Sequence, residues 1–352
     1  MDYKKEIEDL VSLVIKENAS DLHLAEGRTP AVRVLGILIP LVKKSVLTKL
    51  DIQGFLKEFL SEKNAADFER DKEVDFSYGL STARFRGNAF YRHGGISIAL
   101  RLIPKDIRTL AELNLPPILE TFARKEQGFF LCVGPIGQGK TTTLATMVEI
   151  INQTRAAHIM TIEDPIEFVY DSKKSIIDQR EVGIDTPDFT SALISMFRED
   201  INVCLLGEMR DSNTIATAVT AAETGHLVLS TLHTNNASQT IDRILDSFPP
   251  GQQDQIRLQL ASSLTGIFSQ RLIPRISGGL IPAYELLINN SAVSNLIREK
   301  RVHEVNTVIE TSSVDGMIDL NRSLAELVRA GEITVENAYL HSLHPKNLER
   351  MI

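Results

Sequence analysis

The chain has 352 residues, of which 43% are hydrophobic and 24% charged, and a formal net charge of −8. That mixture fits a globular protein of roughly two domains and excludes a disordered or collagen-like chain. With an acidic balance, no tryptophan and only 6% aromatic residues, the chain has little with which to grip a nucleic-acid backbone or stack bases, so no nucleic-acid partner is expected.

Residues 3–17 put Ile7, Leu10, Val11, Val14 and Ile15 at helical spacing, which predicts an amphipathic opening helix. Its polar face mixes lysine with aspartate and glutamate, so it is expected to pack on its own domain and not on a membrane surface. The opening MDYKKEIEDL lacks the apolar core of a signal peptide. No uninterrupted apolar window reaches about 18 residues, the length that spans a bilayer. A soluble, cytoplasmic chain is therefore expected. Short strand-like runs follow, DLHL and AVRVLGILIPLV, then helical stretches near 49–60 and 63–70. Three further strands, EVDFSYGL, ARFRGNAFYR and GISIALRLI, complete a small α+β domain over residues 1–102. Residues 103–117, IPKDIRTLAELNLPP, carry three prolines and no sustained period, and read as a linker.

Beyond the linker the character changes. The apolar runs GFFLCV, AHIMTIE, SIIDQ, INVCLLGE, HLVLSTL, FSQRLI and GLIPAYELL alternate with helical stretches. Near-continuous apolar strands separated by helices predict an α/β domain over 118–290, with a mainly parallel sheet covered on both faces. Residues 291–352 read as helical, first SAVSNLIREKRVHEVNTVIE and then IDLNRSLAELVRAGEIT. The two cysteines, Cys132 and Cys204, lie inside apolar strands with no CxxC spacing, so neither structural zinc nor a disulfide framework is expected.

The sharpest chemical signal is GPIGQGKT, residues 134–141, which matches GxxxxGK[ST] between the strand FFLCV and the helix TTTLATMVEIIN. Glycines there let backbone N–H groups curl around phosphates, and the helix N-terminus adds its positive dipole end. The nucleotide-binding residues expected from this loop are Gly134, Ile136, Gly137, Gln138, Gly139, Lys140, Thr141 and Thr142. Lys140 would reach the β- and γ-phosphates of ATP or GTP, and the Thr141 hydroxyl would ligate Mg²⁺. The apolar strand NVCLLGE ends at Glu208, a carboxylate suited to hold the water shell of Mg²⁺ or to polarise the attacking water. A second acidic cluster, Glu163, Asp164 and Glu167, follows the strand HIMTI at a carboxyl end, where α/β sheets bind ligands. His226 and His233 bracket the strand LVLST, and His233, at its exit, is the better placed to sense a phosphate.

In this order the segments GPIGQGKTTT, TIEDPIEF, REDINVCLLGEMRD and AAETGHLVLSTLHTNNASQTIDRILDSFPP resemble the Walker A, Asp, Walker B and His boxes of secretion-type hexameric ATPases. Within that superfamily the chain is similar to the PilT family of type IV pilus retraction ATPases, from ASDLHL through FRGNAF and IALRLIP to SAVSNLIRE. The resemblance implies a RecA-like P-loop domain preceded by a small PAS-like α+β domain and followed by a helical C-terminal region. It implies that Glu163 activates the lytic water, that Glu208 contacts Mg²⁺ through water, and that His233 senses the γ-phosphate. It also implies that Arg86 and Arg101 close over the phosphates from the N-terminal domain, with 103–117 as the hinge. The implied assembly is a homohexamer at the inner face of the cytoplasmic membrane, acting on an inner-membrane pilus platform protein and alongside other pilus ATPases. An accessory retraction ATPase shares the same boxes, and a non-catalytic nucleotide-binding regulator is the remaining alternative. Three departures stand out. Gln138 and Thr141 replace the serines of the usual Gly-Ser-Gly-Lys-Ser loop. Ile201-Asn202 replaces Pro-Asp, which predicts a looser turn before the Walker B strand. Ser294 stands where the retraction signature has its first arginine.

Overall fold

In the computed structural model, which describes residues 2–34, 36–80, 83–103 and 106–352, the chain divides into two units. One comprises Met1–Asp106 with Glu167–Val169, the other Ile107–Ile166 with Tyr170–Ile352. Among the described residues no helix is long and apolar enough to cross a membrane.

The first unit contains α1 (Tyr3–Lys16), β1 (Asp21–Ala25), β2 (Ala31–Val34), β3 (Ile37–Pro40), α2 (Lys49–Phe59), α3 (Glu62–Asp71), β4 (Glu73–Gly79), β5 (Arg84–Arg92) and β6 (Gly95–Ile103). Its six strands form an antiparallel sheet in the order β3-β2-β1-β6-β5-β4. The period-2 alternation of DLHLA sends Leu22 and Leu24 to one face, where they join Ile98 and Leu100 of β6. Ile7, Leu10, Val11 and Val14 of α1 and Ile52, Phe55 and Phe59 of α2 close this core. The same alternation turns Asp21, His23, Arg86 and Arg101 to the opposite face, with Arg86 directly across from Arg101 and Asp21 across from Arg101 on the other side. Helix α2 starts on a reciprocal cap, Thr48 with Asp51, which explains why the helical pattern begins at Lys49.

Of the expected linker, Pro104 and Lys105 lie outside the described residues. From Ile107 to Ile118 the chain forms no strand or regular helix. It closes on itself locally: the Thr109 N–H and hydroxyl donate to Glu112 Oε2 at 2.7 and 2.8 Å, and the Leu115 N–H donates to Leu110 O at 2.8 Å.

The second unit follows with α4 (Leu119–Ala123), β7 (Gly128–Val133), α5 (Lys140–Thr154), β8 (His158–Glu163), β9 (Ile176–Glu181), α6 (Phe189–Met196), β10 (Val203–Leu206), α7 (Ser212–Glu223), β11 (Leu227–Leu232), α8 (Ala237–Asp246), α9 (Pro250–Ser263), β12 (Leu264–Pro274) and β13 (Leu280–Ile288). The seven-stranded sheet runs β13-β12-β7-β11-β10-β8-β9. Every neighbouring pair is parallel except β12 with β13. Strands β7, β10 and β11 are buried at every residue, as expected of a sheet covered on both faces. The antiparallel edge arises because Pro274 and Leu280 are joined by a short turn through Gly278 and Gly279, both at positive φ, too short for a parallel crossover.

The C-terminal region holds α10 (Ser291–Arg298), α11 (Val305–Thr311), α12 (Leu320–Arg329), α13 (Val335–His341) and α14 (Pro345–Glu349). The stretch 291–310, helical by pattern, is broken in the structure. Helix α10 ends at Arg298, Lys300 takes a left-handed φ of 64°, and the Arg301 N–H closes onto Leu296 O. Ile273, Ile281 and Ala283 of the hairpin pack against Leu320 and Leu324 of α12 in a small core of their own.

The expectation of a looser turn at Ile201-Asn202 does not hold. Ile201 is buried in the main core, and Asn202 exchanges two bonds with the start of β8, its Oδ1 accepting from the His158 N–H at 2.8 Å. The bond uses the Asn202 side-chain amide oxygen, an acceptor at the position where an aspartate would present a carboxylate oxygen. Both cysteines are fully buried, and burial pushes each thiol up to about 12, so both act as packing groups.

Candidate active site

Because β7, β11, β10 and β8 are adjacent and parallel, their carboxyl ends fall on one edge of the sheet. That single fact gathers the sequence motifs. The phosphate loop leaves β7, His233 leaves β11, Glu208 follows β10, and Glu163 is the last residue of β8.

The loop turns on glycine geometry at two critical points. Gly134 has φ 146°, and a Cβ there would lie 2.4 Å from Gln270 O on β12. Gly139 has φ 78° and opens α5 without a side-chain cap, whereas α7 and α8 are capped by Asp211 and Asn236. The first-turn N–H groups of α5 are therefore left to an external acceptor. Lys140 is 7% exposed, and its Nζ donates to Gly134 O at 2.8 Å and Pro135 O at 2.9 Å.

Of the other loop residues, Ile136 is 83% exposed, and Thr141 and Thr142 are half-buried in the first turn of α5. Gln138 does more than replace a serine. Its Oε1 accepts from the Leu272 N–H at 2.6 Å, and its carbonyl accepts from Gln270 Nε2 at 2.8 Å. Gln270 in turn accepts from the Thr143 hydroxyl at 2.7 Å. The phosphate loop is thus laced to β12 by side chains as well as by close backbone approach. Gln270 was not anticipated from the sequence, where it is one polar residue in the run FSQRLI.

His233 Nδ1 lies 3.2 Å from Lys140 Nζ, and its Nε2 lies 4.0 Å from Glu208 Oε2. An ammonium only donates, so Nδ1 accepts and Nε2 carries the proton in this arrangement. Burial, and then the Lys140 charge, hold the imidazole below its ordinary pKa, with Glu208 pulling the other way, so the ring is neutral at pH 7. Glu208 also pairs with Arg210, whose guanidinium is held above its ordinary value by that contact. His226, by contrast, faces the carbonyl of Ala221 and the ring of Phe197, a structural setting.

Glu163 is 4% exposed and accepts from the Thr161 hydroxyl at 2.6 Å and from Gln179 Nε2 at 3.4 Å. Burial, followed by the Glu163 and Glu149 carboxylates, drives the Tyr170 hydroxyl well above its usual pKa. Asp164 and Glu167 of the same box are exposed.

A cavity of about 360 Å³ borders the loop, lined by Gly139, Thr142, Thr143, Gln270 and Leu272 from the sheet side and by Arg108, Glu112 and Leu113–Leu115 from the segment before α4. Its mixture of apolar wall and a few polar groups is that of a small-molecule site. An uncapped helix N-terminus, loop glycines at positive φ, a buried lysine and an adjoining cavity together fit a nucleotide. The oxygen-only pair of Thr141 hydroxyl and Glu208 carboxylate fits the hard-ligand preference of Mg²⁺.

Arg86 and Arg101 belong to the first unit and are described there. Arg101 donates through Nε to Asp21 Oδ1 at 2.9 Å, while 73% of its side chain is exposed. Asp21 also accepts from the Ser20 hydroxyl at 2.7 Å. Burial raises the Asp21 pKa, but these bonds hold it below its ordinary value. Ser294 donates to Ala261 O at 2.9 Å, joining α10 to α9.

The family model for type II/IV secretion system proteins matches residues 3–278. The type IV pilus retraction ATPase PilT of Pseudomonas aeruginosa is 42% identical over 343 residues, covering 97% of this chain and 99% of its own. A twitching motility protein of Neisseria gonorrhoeae is 44% identical over 312 residues, 88% of this chain and 83% of its own. A crystal structure of the pilus retraction motor PilT with bound ADP superimposes with a TM-score of 0.90 at 45% identity, covering 97% of this chain and 98% of that one. With the boxes in order and the fold shared end to end, the chain belongs to the type II/IV secretion system protein family.

Proposed function

We propose that this chain is a Mg²⁺-dependent ATPase that powers retraction of type IV pili. The observation that carries the reading is the convergence of the phosphate loop, His233, Glu208 and Glu163 at one edge of the parallel sheet. The likeness to PilT along nearly the full length of both chains supports the assignment of the motor.

The α5 N-terminus and the glycine loop bind the phosphates, and Lys140 leaves the carbonyls of Gly134 and Pro135 to neutralise them. Thr141 and Glu208 would hold Mg²⁺, Glu208 through water; the ion would neutralise charge developing on the phosphoryl oxygens. Glu163, buried and held by Thr161 and Gln179, orients the attacking water and takes its proton. His233, neutral and tied to Lys140, donates from Nε2 toward the γ-phosphate side. The cavity beside Thr142 takes the base and ribose of ATP. Arg86 and Arg101 add positive charge over the phosphates of their own or a neighbouring subunit, with 103–117 as the hinge. A cytoplasmic homohexamer peripheral to the inner membrane would then turn a platform protein.

The test is steady-state hydrolysis by the full chain, with Lys140→Ala, Glu163→Gln and Glu208→Gln alongside and solution mass measured in the same buffer. Magnesium-dependent turnover by a hexamer, abolished by chelation and lost in all three variants, is expected. A ring that binds ATP without turning it over would instead favour a regulator.

A further inference from the structure

Behind the catalytic edge, the β12–β13 hairpin grips the turn that follows His233. Ser269 and Glu285 are directly opposite in the antiparallel register, and Arg271 is two residues on, so the three share one face. Ser269 donates to Asn235 O at 2.8 Å, and Arg271 Nη2 donates to Asn235 Oδ1 at 3.1 Å. Glu285 Oε1 accepts the Ala237 N–H, the first of α8, at 2.7 Å. The turn between His233 and α8 is therefore held at two successive points by side chains of the hairpin.

We propose that Glu285 is a positioning residue of the hydrolytic site, holding the turn Asn235–Ala237 so that the His233 imidazole stays between Lys140 and Glu208. The inference rests on the ATPase reading above. A charged acceptor at a helix N-terminus makes a stronger bond than a neutral one and is favoured by the helix dipole. Yet Glu285 is only 7% exposed, and burial pushes its carboxyl up to about 7, with the Ala237 bond and Arg271 opposing and Asp319 reinforcing the rise. Besides Asp319 before α12, Glu310 of α11 and His344 before α14 line the same small cavity of about 40 Å³. A glutamine would keep the backbone bond without burying an ionisable group. A carboxyl retained where its neutral isostere would be the more stable choice is the pattern expected of a functional group. In the sequence the only mark of Glu285 is a lone charge inside the apolar strand LIPAYELLI.

The experiment compares the full chain with Glu285→Gln for ATP turnover between pH 6 and 8, for melting temperature, and for amide hydrogen exchange across residues 233–240. In the wild type kcat should rise with ionisation of Glu285 through about pH 7, separately from the lower titration of His233. The variant should lose that step, fall about fivefold in kcat at pH 8 with KM unchanged, and exchange faster across 233–240. It should do so while melting at a higher temperature at pH 8, which a merely structural residue would not do. Retention of the pH step, unchanged exchange, or a kcat that falls only in line with a lowered melting temperature would each overturn the assignment. If the wild type hydrolyses no ATP, the ATPase reading fails instead, and exchange across 233–240 still decides whether Glu285 holds the turn.

Discussion

The two units solve the display of charge in opposite ways. In the second unit the strands β7, β10 and β11 are buried along their whole length, so chemistry has nowhere to go but the strand ends. Parallel order then brings distant boxes to one edge. In the first unit the antiparallel sheet buries one face only, and alternation puts Arg86, Arg101 and Asp21 side by side along the strands of the other. On the proposed function, one unit binds and cleaves at a focus and the other presents a charged face. Lesions in the phosphate loop of the second unit should therefore weaken nucleotide binding, whereas lesions in the charged face of the first should slow turnover and spare affinity.

The hardest test of that division is Gly134→Ala. A Cβ at φ 146°, 2.4 Å from Gln270 O, forces the loop off β12. Holding a side chain in such a backbone region costs about 1–3 kcal/mol, so nucleotide affinity should fall by about 5- to 150-fold, as read by titration calorimetry. Unchanged affinity would mean that the close approach to β12 is not what shapes the loop.

Arg101→Ala probes the other half of the comparison. Loss of one donor to developing negative charge typically costs about 10²-fold in kcat, and ATP affinity should change little. Asp21→Asn keeps an acceptor for Arg101 Nε but removes the charge, so a smaller, roughly fivefold loss is expected. If either substitution weakened ATP binding as much as Gly134→Ala, the two units would not divide the work as proposed.

The smallest effect is on stability. The folded Glu285 carboxyl titrates at about 7 against 4.5 in an unstructured chain, so folding binds the extra proton between these values. Its stabilisation is fully present below the unfolded value and is lost as pH rises through about 7. The full difference corresponds to about 3 kcal/mol as an upper bound. Melting curves should show Glu285→Gln gaining on the wild type from pH 5 to pH 8, by a few degrees at most. A gap independent of pH would show that the buried charge is not what the substitution relieves.

Much of this molecule was legible in the chain because the signals are local. Helix α1 lies within a residue of the predicted 3–17, since Asp2 caps it and Ile7, Leu10, Val11 and Val14 face one core. The phosphate loop was equally plain, because its glycines and lysine do their work within a few residues of each other. What the pattern missed was long-range. Nothing near Ile201 or Asn202 says that one will be buried and the other will bond His158, since β8 is 44 residues away in sequence. Likewise the unbroken apolar rhythm of 291–310 hides the turn at Lys300, which the packing of α10 and α11 on separate neighbours requires.

By itself, then, the amino-acid order determined most of the elements, the mainly parallel core and the motif residues proposed to handle phosphate, because periodicity and motif spacing act over one or two turns of chain. Only the tertiary structure decided which of those groups meet and what stands behind them. Gln270 reaches the phosphate loop across 132 residues, and Glu285 reaches Ala237 across 48. Such contacts depend on strand order and register, which no local pattern encodes, and they are where burial turns an ordinary glutamate into a group that titrates near neutrality.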